Sequence, residues 1–86
     1  MQELNFKFEV AAKNLKMLTE KPDNKILLEL YALYKQAKEG DVHDDEPWFS
    51  DFVGRAKWNA WAALKGISSE EAMKKYIDLA NGLLNQ

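Results

Sequence analysis

The chain has no cysteine and a single histidine, His43. Without thiols there is no disulfide, no thiolate metal site and no cysteine nucleophile, so stability must come from packing, as suits a reducing compartment. One histidine is too few for a zinc site, and no Gly-rich phosphate loop or Gly-x-Ser-x-Gly turn exists to seat a nucleophile. His43 lies among Asp41, Asp44, Asp45 and Glu46, but the stretch has neither the turn glycine nor the final glutamate of a calcium loop. Its charges read as loop solvation. With no metal ligand, no cofactor motif and no nameable catalytic residue, an enzyme is not expected. No apolar run approaches the roughly 20 residues that span a bilayer, and Met1–Lys7 holds no leader-like apolar core. The expectation is a soluble, unsecreted, cytoplasmic protein with no stable membrane insertion. A net charge of −2 supplies no dominant basic field, which argues against a nucleic-acid partner.

What is present is ordinary for a globular domain: 47% hydrophobic and 30% charged residues with only four glycines and two prolines, which argues against disorder. Eighty-six residues suffice for one domain, 1–86, and not for two. Almost nothing alternates with a strand's period of two, so the fold class is all-α. Leu4, Phe8, Ala11, Leu15 and Leu18 recur at helical spacing, predicting a first helix over about 4–18 that stops before Lys21-Pro22. Asp23 can cap a second helix, 23–39, with the stripe Ile26, Leu30, Leu33 and Ala37 and a stop at Gly40. Gly40–Asp51 reads as a long acidic loop, which Trp48 and Phe49 are expected to pin to the core. A third helix is expected over 52–64, ending at Gly66. Ser68 with Glu71 forms a capping box that opens a fourth over 68–84, in which Gly82 weakens the last turns. Four short helices make a small bundle.

Some residues do not fit a plain bundle. On a wheel of about 100° per residue, the second helix carries a band beside its core stripe containing Leu27, Tyr31, Tyr34, Lys35 and Lys38. Two readings stand. Either the tyrosines pack at the core margin while the lysines snorkel, or the face is a phosphate site with an aromatic platform. In the second case Tyr31 and Lys35, spaced i, i+4, converge on one anion. In the third helix Lys57 falls inside the apolar arc of Phe52, Ala63, Ala56, Ala60, Val53, Leu64 and Trp61, where a lysine must snorkel or meet an anion. Ala12 and Lys16 flank the stripe of the first helix. Lysines at the edges of three apolar faces point to a basic, aromatic-lined hollow between helices. Phe6, Val10 and Met17 form a minor apolar line on the outer face of the first helix.

Taken in order, Tyr31-Ala-Leu-Tyr-Lys-Gln-Ala37, Gly40-Asp41, Pro47, Gly54-Arg-Ala-Lys-Trp-Asn-Ala-Trp61, Leu64-Lys-Gly66 and Ala72-Met-Lys-Lys-Tyr-Ile77 resemble the acyl-CoA-binding protein family, with Phe8, Ala11-Ala12, Lys16 and Pro22 at compatible spacing. The resemblance implies an up-down-down-up four-helix bundle with a ligand bowl on one face. It implies that Tyr31, Lys35 and Lys57 hold the 3′-phosphate of coenzyme A, that Ala12, Lys16, Tyr34 and Tyr76 surround the adenine and nearby phosphates, and that Leu27 and Leu28 line the acyl chain. Val53, expected with Leu27 and Leu28 along the acyl chain, stands where the family commonly has lysine. Arg55 replaces a frequent lysine, and Trp48-Phe49 is bulkier than the usual pair.

The implied function is non-catalytic binding, buffering and intracellular transport of medium- to long-chain fatty acyl-CoA esters, one per monomer, with acyl-CoA-using enzymes as recipients and no cofactor. A different class of reading is a helical interaction module whose aromatic-basic face docks an acidic partner segment. The module also occurs fused to enoyl-CoA isomerases, and the absence of a further domain in this sequence speaks against that form.

Overall fold

The computed structural model describes residues 2–85, which form four α-helices and, among the described residues, no strand. They are α1 (Gln2–Leu15), α2 (Asn24–Glu39), α3 (Phe52–Ala62) and α4 (Ser69–Leu84). Asp23 caps α2 by accepting a hydrogen bond from the Ile26 amide at 2.9 Å, and Asp51 does the same for α3 from the Gly54 amide at 2.9 Å. Ser68 caps α4 through the Glu71 amide at 3.1 Å. Only half of the expected capping box forms, because the Glu71 carboxylate faces Lys75 along the helix surface instead of turning back.

Two helices end earlier than their apolar periodicity predicts. α1 stops at Leu15, and Lys16 and Leu18 fall outside it. The amides of Lys16, Met17 and Leu18 reach back three residues, to Lys13, Asn14 and Leu15, at 3.0–3.2 Å, which satisfies the last carbonyls in a tightened turn before Pro22. α3 stops at Ala62. Leu64 and Lys65 bond back to Trp61 and Ala62 in the same way, and Gly66 turns the chain at a φ of 94°. α4 continues through Gly82 to Leu84.

The core lies where α4 packs against both α1 and α2. Ala72, Met73, Tyr76 and Ala80 meet Phe8 and Ala11 from one side and Leu30, Leu33 and Ala37 from the other. Among the described residues α3 packs on no helix but α2. Of its apolar arc only Trp61 is buried, while Phe52 and Val53 are 79% and 68% exposed, because no second helix covers them.

The helix directions follow from which ends meet. Gln36 near the end of α2 bonds the Ile67 carbonyl just before α4 begins, so α2 and α4 run antiparallel. Asn24 and Leu27 lie beside Phe52 and Val53, and the Trp61 indole reaches Gly40, so α2 and α3 run parallel. α4 follows α1, with Leu4 and Lys7 near Glu70 and Lys74, and Val10 and Asn14 near Ile77 and Asn81. The bundle is therefore up-down-down-up. In side-by-side order it runs α1, α4, α2, α3, a slab of 37 × 31 × 15 Å.

The acidic loop is held by α3, and the expectation for Trp48 and Phe49 fails: they are 79% and 75% exposed. Trp58 donates its indole N–H to the Asp44 carbonyl and Trp61 to the Gly40 carbonyl, both at 2.8 Å. Arg55 bonds the Pro47 carbonyl and pairs with Glu46. The buried Trp61 indole N–H requires an acceptor, and a loop carbonyl supplies it, as another does for the less buried Trp58. Trp48 and Phe49 come after these anchors and have nothing to pack against.

Candidate ligand-binding trough

α1 and α3 make no mutual packing contact among the described residues, so α2 presents an open face between them. The band of Leu27, Tyr31, Tyr34, Lys35 and Lys38 occupies this face. Its members divide between the two walls. On the α1 side, Tyr34 stacks on Phe8 with ring centroids 5.3 Å apart, and Lys38 pairs with Glu9 at 2.9 Å. Tyr76 completes that cluster, edge-on to Phe8 at 5.0 Å and to Tyr34 at 6.0 Å. Burial pushes the Tyr76 hydroxyl pKa up, the nearby Tyr34 and Glu9 adding to the effect. Tyr76 thus belongs to the core, and Tyr34 packs against that core from the open face of α2.

On the α3 side, Lys57 lays its ammonium over the Tyr31 ring, 5.3 Å from the centroid. The misfit seen on the helical wheel is resolved by snorkelling: Lys57 is exposed, and its stem leaves the apolar arc toward an aromatic face. Tyr31, Lys57, Leu27, Leu28, Phe52, Val53, Ala56, Lys21 and Asn24 enclose an open groove of about 450 Å³. The three residues expected to line an acyl chain, Leu27, Leu28 and Val53, are all in this groove. A second groove of about 510 Å³ shares Leu28 with it. That one is less suited to a polyanion with an apolar tail, since Glu29 and Asp78 stand beside Lys25 and Lys75 and no aromatic ring lines it.

Lys35 is differently placed from Lys57. It hydrogen-bonds Glu39 one turn along α2 and lies 4.8 Å from the centroid of the Trp61 ring. The Glu39 bond raises the Lys35 pKa above its ordinary value against the opposing effect of burial. The same bond, with His43 contributing, holds Glu39 below the usual carboxylate range. Ala12 packs against the core on α1. Lys16 sits exposed in the turn beyond α1. Lys7, Lys35, Lys38, Lys74 and Lys75 each meet a carboxylate, whereas Lys16 and Lys57, like Lys13, Lys21, Lys25 and Lys65, have none among the described residues. The structure brings Tyr31 and Lys57 together and puts Tyr34 with Tyr76. Among the described residues no ion pair joins Lys16 to Tyr31, Lys35 or Lys57, and Ala12 lies on α1, which does not pack against α3.

Sequence reasoning missed Gln36, which is fully buried. Its amide donates to the Asp41 carboxylate and to the Ile67 carbonyl, both at 2.8 Å, and the same Asp41 oxygen accepts from the Gly66 amide at 2.8 Å. The network ties the loop after α2 to the turn before α4, and so fixes the end of the wall that carries Lys35. The signal was available: Gln36 sits one turn after Leu33 on the core stripe, where a polar side chain requires partners. His43 bonds Glu39 at 3.0 Å and Asp44 at 3.2 Å. Among the described residues no group of three or more His, Asp or Glu side chains is placed to hold a metal ion, and no helix is long and apolar enough to cross a membrane.

Comparison with known proteins agrees with this arrangement. The family model for "Acyl CoA binding protein" matches residues 5–80. The acyl-CoA-binding protein of Dictyostelium discoideum is 51% identical over 72 residues, covering 84% of this chain and 86% of that one. Enoyl-CoA delta isomerase 2 of Rattus norvegicus is 46% identical over 76 residues, which are 88% of this chain and only 19% of the isomerase. The crystal structure of Oryza sativa acyl-CoA-binding protein 2 superposes with a TM-score of 0.93 at 40% identity, covering 98% of this chain and 91% of that one. A match running through all four helices, in sequence and in backbone, makes this chain a member of the acyl-CoA-binding protein family.

Proposed function

We propose that the chain is a non-catalytic carrier that binds one medium- to long-chain fatty acyl-CoA ester per monomer in the trough between α1 and α3. It buffers the ester in the cytoplasm and passes it to enzymes that make or use it. Family membership supports acyl-CoA as the ligand. The observation that carries the assignment to the trough is the position of Lys57, an unpaired ammonium over the Tyr31 ring at the mouth of an apolar groove.

In this reading Tyr31, Lys35 and Lys57 take the 3′-phosphate by charge-assisted hydrogen bonds. Ala12, Lys16, Tyr34 and Tyr76 border the adenine and the neighbouring phosphates. The tail lies along Leu27, Leu28 and Val53, covering apolar surface that is otherwise in water. Each buried methylene contributes roughly 0.8 kcal/mol, so about fourteen give up to some 11 kcal/mol before ordering costs. The head group then sets specificity for coenzyme A and the tail sets the preference for length. Docking of an acidic protein segment is the weaker reading, because the family match and the apolar groove beside Lys57 both favour an anion that carries an apolar tail.

Lys57→Ala tests the site. In a fluorescence titration with palmitoyl-CoA it should weaken binding by about 1 to 3 kcal/mol, the cost of a lost charged hydrogen bond. An unchanged affinity removes Lys57 from the site.

A further inference from the structure

Lys35 and Lys57 are assigned to one phosphate, yet the free protein treats them differently. Lys57 has no carboxylate partner among the described residues, while Lys35 is already hydrogen-bonded to Glu39. Glu39 is itself fixed from both sides: one carboxylate oxygen takes Lys35 and the other takes His43 Nε2 at 3.0 Å. His43 is in turn held edge-on to the buried Trp61 ring, with centroids 5.3 Å apart, and lies 3.2 Å from Asp44. Trp61 is anchored through its indole to Gly40, the residue that follows Glu39. Lys35 therefore rests against a built carboxylate on a framed surface, with its ammonium also over that same indole.

We propose that Glu39 is a specificity-determining positioning residue, an internal stand-in for the ligand's 3′-phosphate that Lys35 must leave when the phosphate arrives. The inference rests on the carrier reading above. Exposed ion pairs contribute little in water, so a phosphate dianion can displace Glu39. The exchange still weakens binding of a 3′-phosphorylated ester, through the lost pair and through repulsion between Glu39 and the phosphate. An ester without the 3′-phosphate leaves Lys35 where it is and is not affected. Glu39 thus damps the preference for 3′-phosphorylated esters.

The test compares palmitoyl-CoA with palmitoyl-3′-dephospho-CoA in calorimetric titrations of wild type, Glu39→Gln, Lys35→Met and the double variant. Glu39→Gln should bind palmitoyl-CoA about two- to fivefold more tightly, bind the dephospho ester as wild type does, and gain less in the Lys35→Met background, where only the direct repulsion is left to relieve. The proposal is overturned if Glu39→Gln weakens binding or leaves it unchanged, tightens both esters equally, or acts equally with Met at position 35. If wild type binds neither ester, the carrier reading itself falls, and the role of Glu39 falls with it.

Discussion

Asp41 joins two connections through one carboxylate oxygen, which accepts from the Gly66 amide and the Gln36 side chain. Those two bonds, the Gly66 amide first, hold its pKa below the usual aspartate value. A depressed carboxylate pKa gives stability that is fully present above the unfolded chain's value and is lost as pH falls through the folded value, so its window lies below about pH 4. In urea unfolding between about pH 2 and 6, Asp41→Asn should lose less stability than wild type across that acid window. Parallel curves would mean that the carboxylate charge is not what the network uses. Residues of this kind were only partly legible in the sequence. Gly40-Asp41 stood out as part of a motif, but the Gln36 partnership spans 31 positions, to Ile67, and no local pattern encodes it. Lys57 was legible as a misfit, since a cation on an apolar arc has few physical solutions. Trp48 and Phe49 misled, because bulk in a loop predicts burial only where a neighbouring element supplies a surface.

The connections that end the helices depend on backbone shapes only glycine adopts easily. Gly40 has φ 80° and ψ −151°, a region that costs other residues on the order of 1–3 kcal/mol. A Cβ there would meet nothing within 4 Å, so the penalty is backbone strain alone. Gly82 is the reverse case: it lies inside α4, a Cβ would again meet nothing within 4 Å, and alanine favours the helix by roughly 0.5–1 kcal/mol. Gly40→Ala should lower the urea midpoint and Gly82→Ala should raise it, with unchanged slopes. Shifts of the same sign would refute this division between a required and a tolerated glycine. Helix existence and order were readable from periodicity, whereas the ends of α1 and α3 were not. Leu18 and Leu64 keep the apolar spacing in phase, but the backbone has by then tightened into three-residue turns that spacing alone does not reveal.

Across the whole molecule, the trough exists because one pair of helices fails to meet. α4 fills the space between α1 and α2 and seals the core, while α3 is left attached to α2 alone. An apolar stripe in a sequence says that a surface leaves water and does not say whether protein or ligand covers it. That is why the apolar arc of α3 left its cover open, and why the topology came from resemblance rather than from spacing. In the proposed carrier, the tail of the ester is what covers Leu27, Val53 and Phe52. Calorimetric titration of the protein with palmitoyl-CoA, alongside coenzyme A and palmitate separately, tests this. Saturable binding of one palmitoyl-CoA per chain, with both fragments far weaker, is the predicted result. No saturable binding of palmitoyl-CoA, or palmitate binding as tightly as the ester, would contradict it.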